Sequence, residues 1–186
     1  TSEYLDRLSS LMKKYVHLNE QMSIVLDQGL KTICPEGWEN KKILGVHIRG
    51  TDYALNWTGH PNMVGAEEFI SAVDTILERA HYDYIFLATD DLDRLDIMKR
   101  RYGDKLRYYT DVHRGTGEFN IAQQKNNRPQ NRYLNGVEVV RDMYTLANCD
   151  SMICGLSQVS FFSQVIKLSM GDRYEDLQIL DKGIYK

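Results

Sequence analysis

The sequence predicts an α/β domain built on a Rossmann-like, doubly wound parallel sheet. Two short runs rich in apolar residues, at 43–48 and 84–89, are typical of parallel strands that are buried on both faces. Segments with helical periodicity alternate with these runs and with three further short strands, which is the pattern of βαβ units. No Gly-x-Gly-x-x-Gly segment follows any of the strands, so a dinucleotide cofactor is not expected.

Composition is consistent with one globular domain. The chain has 186 residues, a net charge of -3 and 42% hydrophobic residues, which is enough for a sizeable core. The balance is not basic, which argues against nucleic acid as a partner, and no apolar run approaches the ~20 residues of a membrane segment. The cysteines are odd in number and lie in apolar surroundings, which predicts reduced thiols in a cytoplasmic protein: Cys34, Cys149 and Cys154.

The chain begins with helical periodicity over residues 3–33, where apolar residues recur at three- and four-residue spacing. The pattern predicts either two helices or one helix broken near residues 17–19, with Asn19 as an N-cap. Pro35, Gly37 and Asn40 then mark a loop. We therefore predict a helical lead-in over residues 1–40 and a Rossmann-like domain over residues 41–186.

Polar residues follow the first strand where it ends. His47 and Arg49 are two residues apart, so they lie on the same face, and Gly50 then allows a turn before Asp52. The carboxyl ends of strands are where open α/β sheets bind ligands, and a guanidinium matches a phosphate or a carboxylate. The alternative is a structural ion pair between Arg49 and Asp52, with His47 as a core histidine.

The second strand ends in a pair of acids, Asp90 and Asp91. The segment Asp91-Leu92-Asp93 matches the Asp-x-Asp metal motif, but the segment is better explained by Asp91 or Thr89 as the cap of the next helix, and no metal site is expected. The remaining elements follow in order: a loop at 54–65 containing Trp57 and His60, a helix at 65–80, a helix at 92–102, a strand at 106–109, an aperiodic segment at 111–134, a helix from Gly136, a strand at 151–154, a helix to Leu168 and a strand at 177–180.

Three of these later segments are further candidates for ligand binding. The loop at 54–65 is expected to wall the site. The aperiodic segment contains Arg114, Arg128 and Arg132, which either cover a phosphate-bearing ligand or belong to a mobile surface loop. The turn at 155–160 opens a helix, and it is either a phosphate cradle or a plain N-cap formed by Ser157.

Three segments of the chain resemble fucosyltransferases. The segment G-V-H-I-R-G-T-D at 45–52 is similar to the His-x-Arg-x-x-Asp segment of the α1,6 branch, which comprises the core and nodulation fucosyltransferases. Two later segments resemble the second and third segments of the same family and follow in the same order. They are F-L-A-T-D-D at 86–91 and C-D-S-M-I-C-G-L-S-Q-V-S-F at 149–161. The resemblance covers roughly residues 44–166. It departs at Gly50, where many relatives carry a second arginine.

The resemblance implies the nucleotide-binding, C-terminal half of a GT-B glycosyltransferase. In such an enzyme Arg49 contacts the β-phosphate of GDP-fucose or a related GDP-sugar, and His47 and Asp142 hold the guanine. Asp142 suits guanine because its carboxylate accepts from two adjacent N–H donors. The turn around Ser157 supplies backbone N–H groups to the phosphates, so the expected substrate-binding residues also include Asp90, Leu156, Ser157 and Ser160.

The implied reaction is metal-independent transfer of fucose to a glycan hydroxyl. Arg49 and the helix N-terminus stabilise the charge on the departing GDP. The reaction needs a base for the acceptor hydroxyl, and Asp52, His60 and an acid outside this chain are the candidates. The alternative function is a non-catalytic module that binds a GDP-sugar or another phosphorylated ligand.

Overall fold

The fold rests on one five-stranded sheet in which every pairing is parallel. The computed structural model describes residues 2–51, 55, 57–116 and 128–186. The strands are β1 (Ile43–Ile48), β2 (Tyr84–Thr89), β3 (Leu106–Arg107), β4 (Ser151–Gly155) and β5 (Leu177–Leu180), in the order β3-β2-β1-β4-β5. The helices are α1 (Ser2–Tyr15), α2 (Glu20–Ile33), α3 (Ala66–Arg79), α4 (Leu92–Tyr102), α5 (Asn131–Asn148) and α6 (Gln158–Ser169). The predicted fold class is confirmed.

The central strand β1 determines where a ligand can bind. It lies between β2 and β4, so the order of the strands reverses beside it, and such a switch point leaves a crevice at the carboxyl edge. His47 is level with Ala88 of β2 and with Cys154 of β4. The residues that follow these three strands therefore meet at one edge of the sheet.

Two apolar cores cover the two faces of the sheet. Leu44, Val46 and Ile48 of β1 pack with residues of α3 and α4 on one face. Ile43 packs on the opposite face with residues of α2 and α5. Alternation along the strand places His47 on this second face.

The amino-terminal helices separate where the sequence predicts a break. Asn19 caps α2, since its side-chain oxygen accepts a hydrogen bond from the Met22 N–H at 2.8 Å. Helix α1 packs against α6, and α2 packs against α5. The division of the chain at residue 40 stays a prediction.

Two predicted boundaries were wrong. Helix α5 begins at Asn131 rather than at Gly136, because its first turn is polar and carries no apolar period. Strand β3 ends at Arg107 rather than at Tyr109. Beyond it, Gly115 bridges to Asp91 and its N–H donates to the Asp90 carbonyl at 2.9 Å, so this end of the aperiodic segment is tied to the sheet. The part of that segment at 117–127 lies outside the described residues.

The three cysteines are buried and free, as predicted. Burial raises the pKa of the Cys154 thiol to about 12, so the thiol stays protonated at neutral pH. No helix in the part of the chain that the structure describes is long and apolar enough to cross a membrane.

Candidate functional site

An ion pair forms the centre of the carboxyl edge. Arg49, directly after β1, donates through its guanidinium to the carboxylate of Asp90, directly after β2. The Asp90 carboxylate also accepts hydrogen bonds from the Gly50 N–H at 2.9 Å and from the Thr51 hydroxyl at 2.8 Å. Asp90 thereby fixes both the guanidinium and the turn that follows it. Asp52, the alternative partner of Arg49, lies outside the described residues.

The turn after Arg49 is tightly constrained. Thr51 has a φ of 46°, a left-handed conformation that non-glycine residues rarely adopt and that often marks functional sites. At Gly50, an added Cβ would lie 2.5 Å from the Cβ of Asp91. A side chain at this position requires Asp91 to move, which gives a physical reason for glycine here.

Asp91 acts as the predicted cap of α4. One carboxylate oxygen accepts from the N–H groups of Asp93 and Arg94 at 2.9 and 3.2 Å, and the other accepts from the Arg94 guanidinium at 2.7 Å. These contacts occupy the carboxylate within the protein. Among the described residues, no group of three or more His, Cys, Asp or Glu side chains is placed to hold a metal ion.

His47 is buried beside the start of α6. Its Nδ1 lies 3.3 Å from the Ser157 hydroxyl oxygen, which caps α6 by accepting from the Ser160 N–H at 3.1 Å. Burial, together with the nearby Arg49 charge, lowers the pKa of His47 to about 3. The imidazole is therefore neutral at physiological pH, and it offers a ligand one donor or one acceptor without a charge.

Ser160 is buried and stabilises the turn between β4 and α6 through hydrogen bonds. Its hydroxyl donates to the Gly155 carbonyl at 2.8 Å, and its N–H is bound to Ser157. The geometry therefore favours a positioning role for Ser160, with Leu156 and Ser157 lying nearer to the edge.

An acid on α5 has an unusual protonation equilibrium. Burial raises the pKa of Asp142 to about 7, although the nearby Arg114 and Arg141 act in the opposite direction. Glu138, one turn earlier, is buried and forms an ion pair with Arg128. Asp142 is thus an acceptor whose charge is only half formed at neutral pH, and a ligand that donates hydrogen bonds would complete its ionisation.

Arg114 lies under the site instead of over it. Its guanidinium donates to the carbonyls of Thr89 at 3.1 Å and Tyr109 at 2.9 Å, and only 7% of the residue is exposed. Of the two proposed roles for the basic segment, covering a phosphate therefore does not fit Arg114. Sequence reasoning missed this internal role because backbone carbonyls have no signature in the sequence.

The loop after β1 is held by the end of the chain. The Gly59 N–H donates to the Tyr185 carbonyl, the Tyr185 N–H donates to the His60 carbonyl and the Asn62 N–H donates to the Gly183 carbonyl, each at 2.9 Å. Trp57 packs edge-on against His60 with ring centroids 5.5 Å apart. The pairing uses mainly backbone groups, with one added hydrogen bond from the Asn62 side-chain amide to the Lys182 carbonyl at 2.8 Å, so sequence reasoning did not find it.

A cleft opens where this loop meets the sheet edge. It is lined by Arg49, Asn62, Val64, Phe69, Gly155 and Leu156. The cleft joins the end of β1 to the turn before α6, which are the two places where the sequence predicts phosphate contacts. The structure thus brings Arg49 and Leu156 to one opening, with Asp90 behind Arg49 and with His47 and Ser157 at the start of α6.

A parallel sheet with a strand-end arginine and a helix N-terminus at its switch point is characteristic of α/β domains that bind anionic ligands at the carboxyl edge of the sheet. Residues 7–185 match the family described as alpha-(1,6)-fucosyltransferase N- and catalytic domains, and the chain belongs to this family. The resemblance seen in the sequence is confirmed. A search of the curated proteins found no match.

Solved fucosyltransferases share the fold. NodZ α-1,6-fucosyltransferase soaked with GDP-fucose aligns with a TM-score of 0.54 and 19% identity, over 81% of this chain and 43% of that chain. POFUT1 in complex with GDP-fucose aligns with a TM-score of 0.50 and 10% identity, over 93% of this chain and 49% of that chain. The chain thus spans less than half the length of these GT-B enzymes, and the predicted likeness to a GT-B fold is confirmed.

Proposed function

We propose that this chain is the GDP-sugar-binding half of a fucosyltransferase, which transfers fucose from GDP-fucose to a hydroxyl of a glycan without a metal ion. Membership of the α1,6 family supports the proposal. The observation that carries it is the placement of Arg49, oriented by Asp90, beside the start of α6 at the switch point of the sheet.

The diphosphate binds between Arg49 and the first turn of α6. A guanidinium binds phosphate through paired hydrogen bonds, and a helix N-terminus adds backbone N–H groups and a favourable dipole. Negative charge grows on the β-phosphate as the bond to the sugar breaks. Arg49 and the α6 N-terminus are then better matched to the transition state than to the intact donor, which is the condition for catalysis.

The guanine binds on the face of the sheet that α2 and α5 cover. The Asp142 carboxylate accepts from the two adjacent N–H donors of guanine, and the neutral His47 adds one further hydrogen bond. Adenine and uracil do not present this pair of donors, so GDP is preferred over ADP and UDP. Asp52 and His60 are the candidates within this chain for the base that deprotonates the acceptor.

The sharpest test is calorimetric titration of the chain with GDP in EDTA, with ADP and UDP as controls. We expect micromolar binding of GDP alone. The Arg49→Ala variant should lose that binding. The matched variant Arg101→Ala should keep it, because Arg101 on α4 forms an exposed ion pair with Asp74 on α3. Equal GDP affinity in the two variants would refute the assignment of the phosphate site.

Transfer itself needs a separate measurement. Mass spectrometry of candidate glycans incubated with GDP-fucose and the chain should detect the added fucose. The alternative is a non-catalytic module that binds a GDP-sugar or another phosphorylated ligand. Tight GDP-fucose binding without transfer to any acceptor would support this alternative. A cytoplasmic location stays a prediction, supported by the three free cysteines.

A further inference from the structure

Arg114 is a buried cation that backbone carbonyls hold in place. Its Nε donates to the Thr89 carbonyl at 3.1 Å, and its Nη1 donates to the carbonyls of Tyr109 at 2.9 Å and Val112 at 3.3 Å. No carboxylate in the described part of the chain forms an ion pair with it. Carbonyl oxygens carry only partial charges, so the guanidinium keeps a positive field inside the protein, where water does not screen it.

The segment that carries Arg114 contacts α5 on either side of Asp142 along the helix. The hydroxyl of Tyr109 lies 2.7 Å from the Thr145 hydroxyl, one turn after Asp142. Asp111 forms an ion pair at 2.6 Å with Arg141, the residue before Asp142. These contacts, together with the three carbonyls, fix the position of the guanidinium relative to this part of α5.

Asp142 is surrounded by charges of both signs. The charged groups with the largest effect on it lie on α5 and on the segment after β3, and they are Arg114, Arg141, Glu138 and Asp111. Three of these four groups belong to ion pairs, so neighbouring charges of opposite sign offset much of their field. Burial raises the pKa of Asp142 to about 7, and Arg114 opposes this rise more than Arg141 does.

We infer that Arg114 is a positioning residue for guanine recognition, which acts from beneath the site by keeping the Asp142 carboxylate ionised and ready to accept hydrogen bonds. The inference rests on the proposed function, in which Asp142 binds guanine. Arg114 itself does not touch the nucleotide, because carbonyls of the protein occupy its Nε and Nη1. Its contribution is electrostatic, and it is constant with pH because a guanidinium stays charged.

The test is the pH dependence of GDP affinity in Arg114→Gln, measured by calorimetric titration. A neighbouring cation lowers the pKa of a carboxyl by roughly 1–3, so its removal should raise the midpoint for Asp142 by at least about one pH unit. With a midpoint one unit higher, GDP should bind about fivefold more weakly than to the wild type at pH 7 but within about twofold of it at pH 8.5.

Two variants control for a merely structural role. Arg114→Lys keeps the charge but loses the fork, so its midpoint should stay within about half a pH unit of the wild type. In Arg107→Gln the lost arginine also donates to a backbone carbonyl, that of Asp104 at 2.6 Å, but it is not among the charges with the largest effect on Asp142. This variant should bind GDP as the wild type does at both pH values. If Arg114→Gln does not fold, Arg114→Met removes the same charge with a side chain suited to burial, and the same pH pattern is expected.

A second readout needs no ligand. Carbon NMR of the carboxyl groups follows the ionisation of Asp142 directly, with its signal assigned by its loss in Asp142→Asn. The midpoint should be at least about one pH unit higher in Arg114→Gln than in the wild type.

The outcomes separate this inference from the proposed function. Equal midpoints in the two proteins, or a loss of GDP affinity of the same size at both pH values, would overturn the role of Arg114 while GDP binding by the wild type left the proposed function intact. Failure of the wild type to bind GDP would refute the proposed function and the guanine role of Arg114 with it, whatever the midpoints are.

Discussion

Asp142 makes the proposed guanine site testable by pH. Its carboxyl has a pKa of about 7 in the free protein because burial opposes the charge. Guanine donates two hydrogen bonds and therefore binds the ionised form. The affinity for GDP should be fully developed above pH 7 and should be lost as the pH falls through 7. Since His47 has a pKa of about 3, its protonation plays no part in this range.

The size of the effect follows from the fraction of Asp142 that is ionised. With a pKa of about 7, this fraction falls about tenfold between pH 8 and pH 6, so the affinity should fall about tenfold as well. The Asp142→Asn variant replaces a charge-assisted pair of hydrogen bonds with an amide that presents a donor to donors. We expect it to bind GDP about 10- to 100-fold more weakly at pH 8.

The assay is calorimetric titration with GDP at several pH values in buffers of different ionisation enthalpy. At pH 7 the wild type should release protons on binding, because guanine draws Asp142 fully into its ionised form. Titration with IDP, which lacks the exocyclic amine of guanine, isolates one of the two hydrogen bonds. The loss from GDP to IDP should be larger in the wild type than in Asp142→Asn.

The GDP phosphate also titrates near pH 6, so the wild type alone does not identify the group. The comparison with Asp142→Asn does, since the variant retains the phosphate contribution and lacks that of Asp142. An identical pH dependence in the two proteins, or an equal loss from GDP to IDP, would refute the guanine role of Asp142.

Three further predictions concern stability and the site edge. Asp142→Asn should be more stable than the wild type at pH 8, on the order of 2–4 kcal/mol in urea unfolding, and the difference should vanish near pH 4, where the wild-type carboxyl is protonated; a constant difference would contradict burial of the charge. Gly50→Ala should weaken GDP binding and lower the melting temperature, because its Cβ displaces Asp91, and an unchanged melting temperature would show that the turn can relax. Deleting residues 182–186 should leave urea unfolding within about 1–2 kcal/mol of the full chain but increase hydrogen exchange in the loop at 57–62, which loses its backbone partners; unchanged exchange would show that the loop holds itself.

The strands were predictable because their signal is local. Strands β2 and β5 begin and end where the sequence indicates, since each is a short, mostly apolar segment bounded by polar or turn-forming residues. The N-terminus of α5 was not, because its first turn, beginning at Asn131, has neither an apolar stripe nor a capping side chain. The start of a helix is therefore predicted wrongly where its first turn lies outside the apolar core, because that turn then carries no apolar periodicity.

The site residues show the same difference between features that a sequence reveals and features that depend on tertiary structure. Arg49 could be placed at a strand end from its own segment. Its pairing with Asp90 could not, because that contact depends on the register between strands whose residues are 41 positions apart. The burial that raises the pKa of Asp142 also arises from tertiary packing. A sequence thus shows which residue types are present and in which order. Their hydrogen-bond partners and charge states depend on how the strands and helices pack.

The adjacent acids after β2 show how one strand end serves both the fold and the site. Asp90 continues the alternation of β2 and lies on the side of Arg49, whereas Asp91 points to the opposite side and caps α4. The cap holds Asp91 so close to the neighbouring turn that any side chain at position 50 would have to displace it. That glycine in turn lets its N–H reach Asp90, which orients Arg49. The start of α4 and the direction of the Arg49 guanidinium are therefore coupled. A substitution at Asp91 should weaken binding at the proposed phosphate site, although the Asp91 side chain points away from that site.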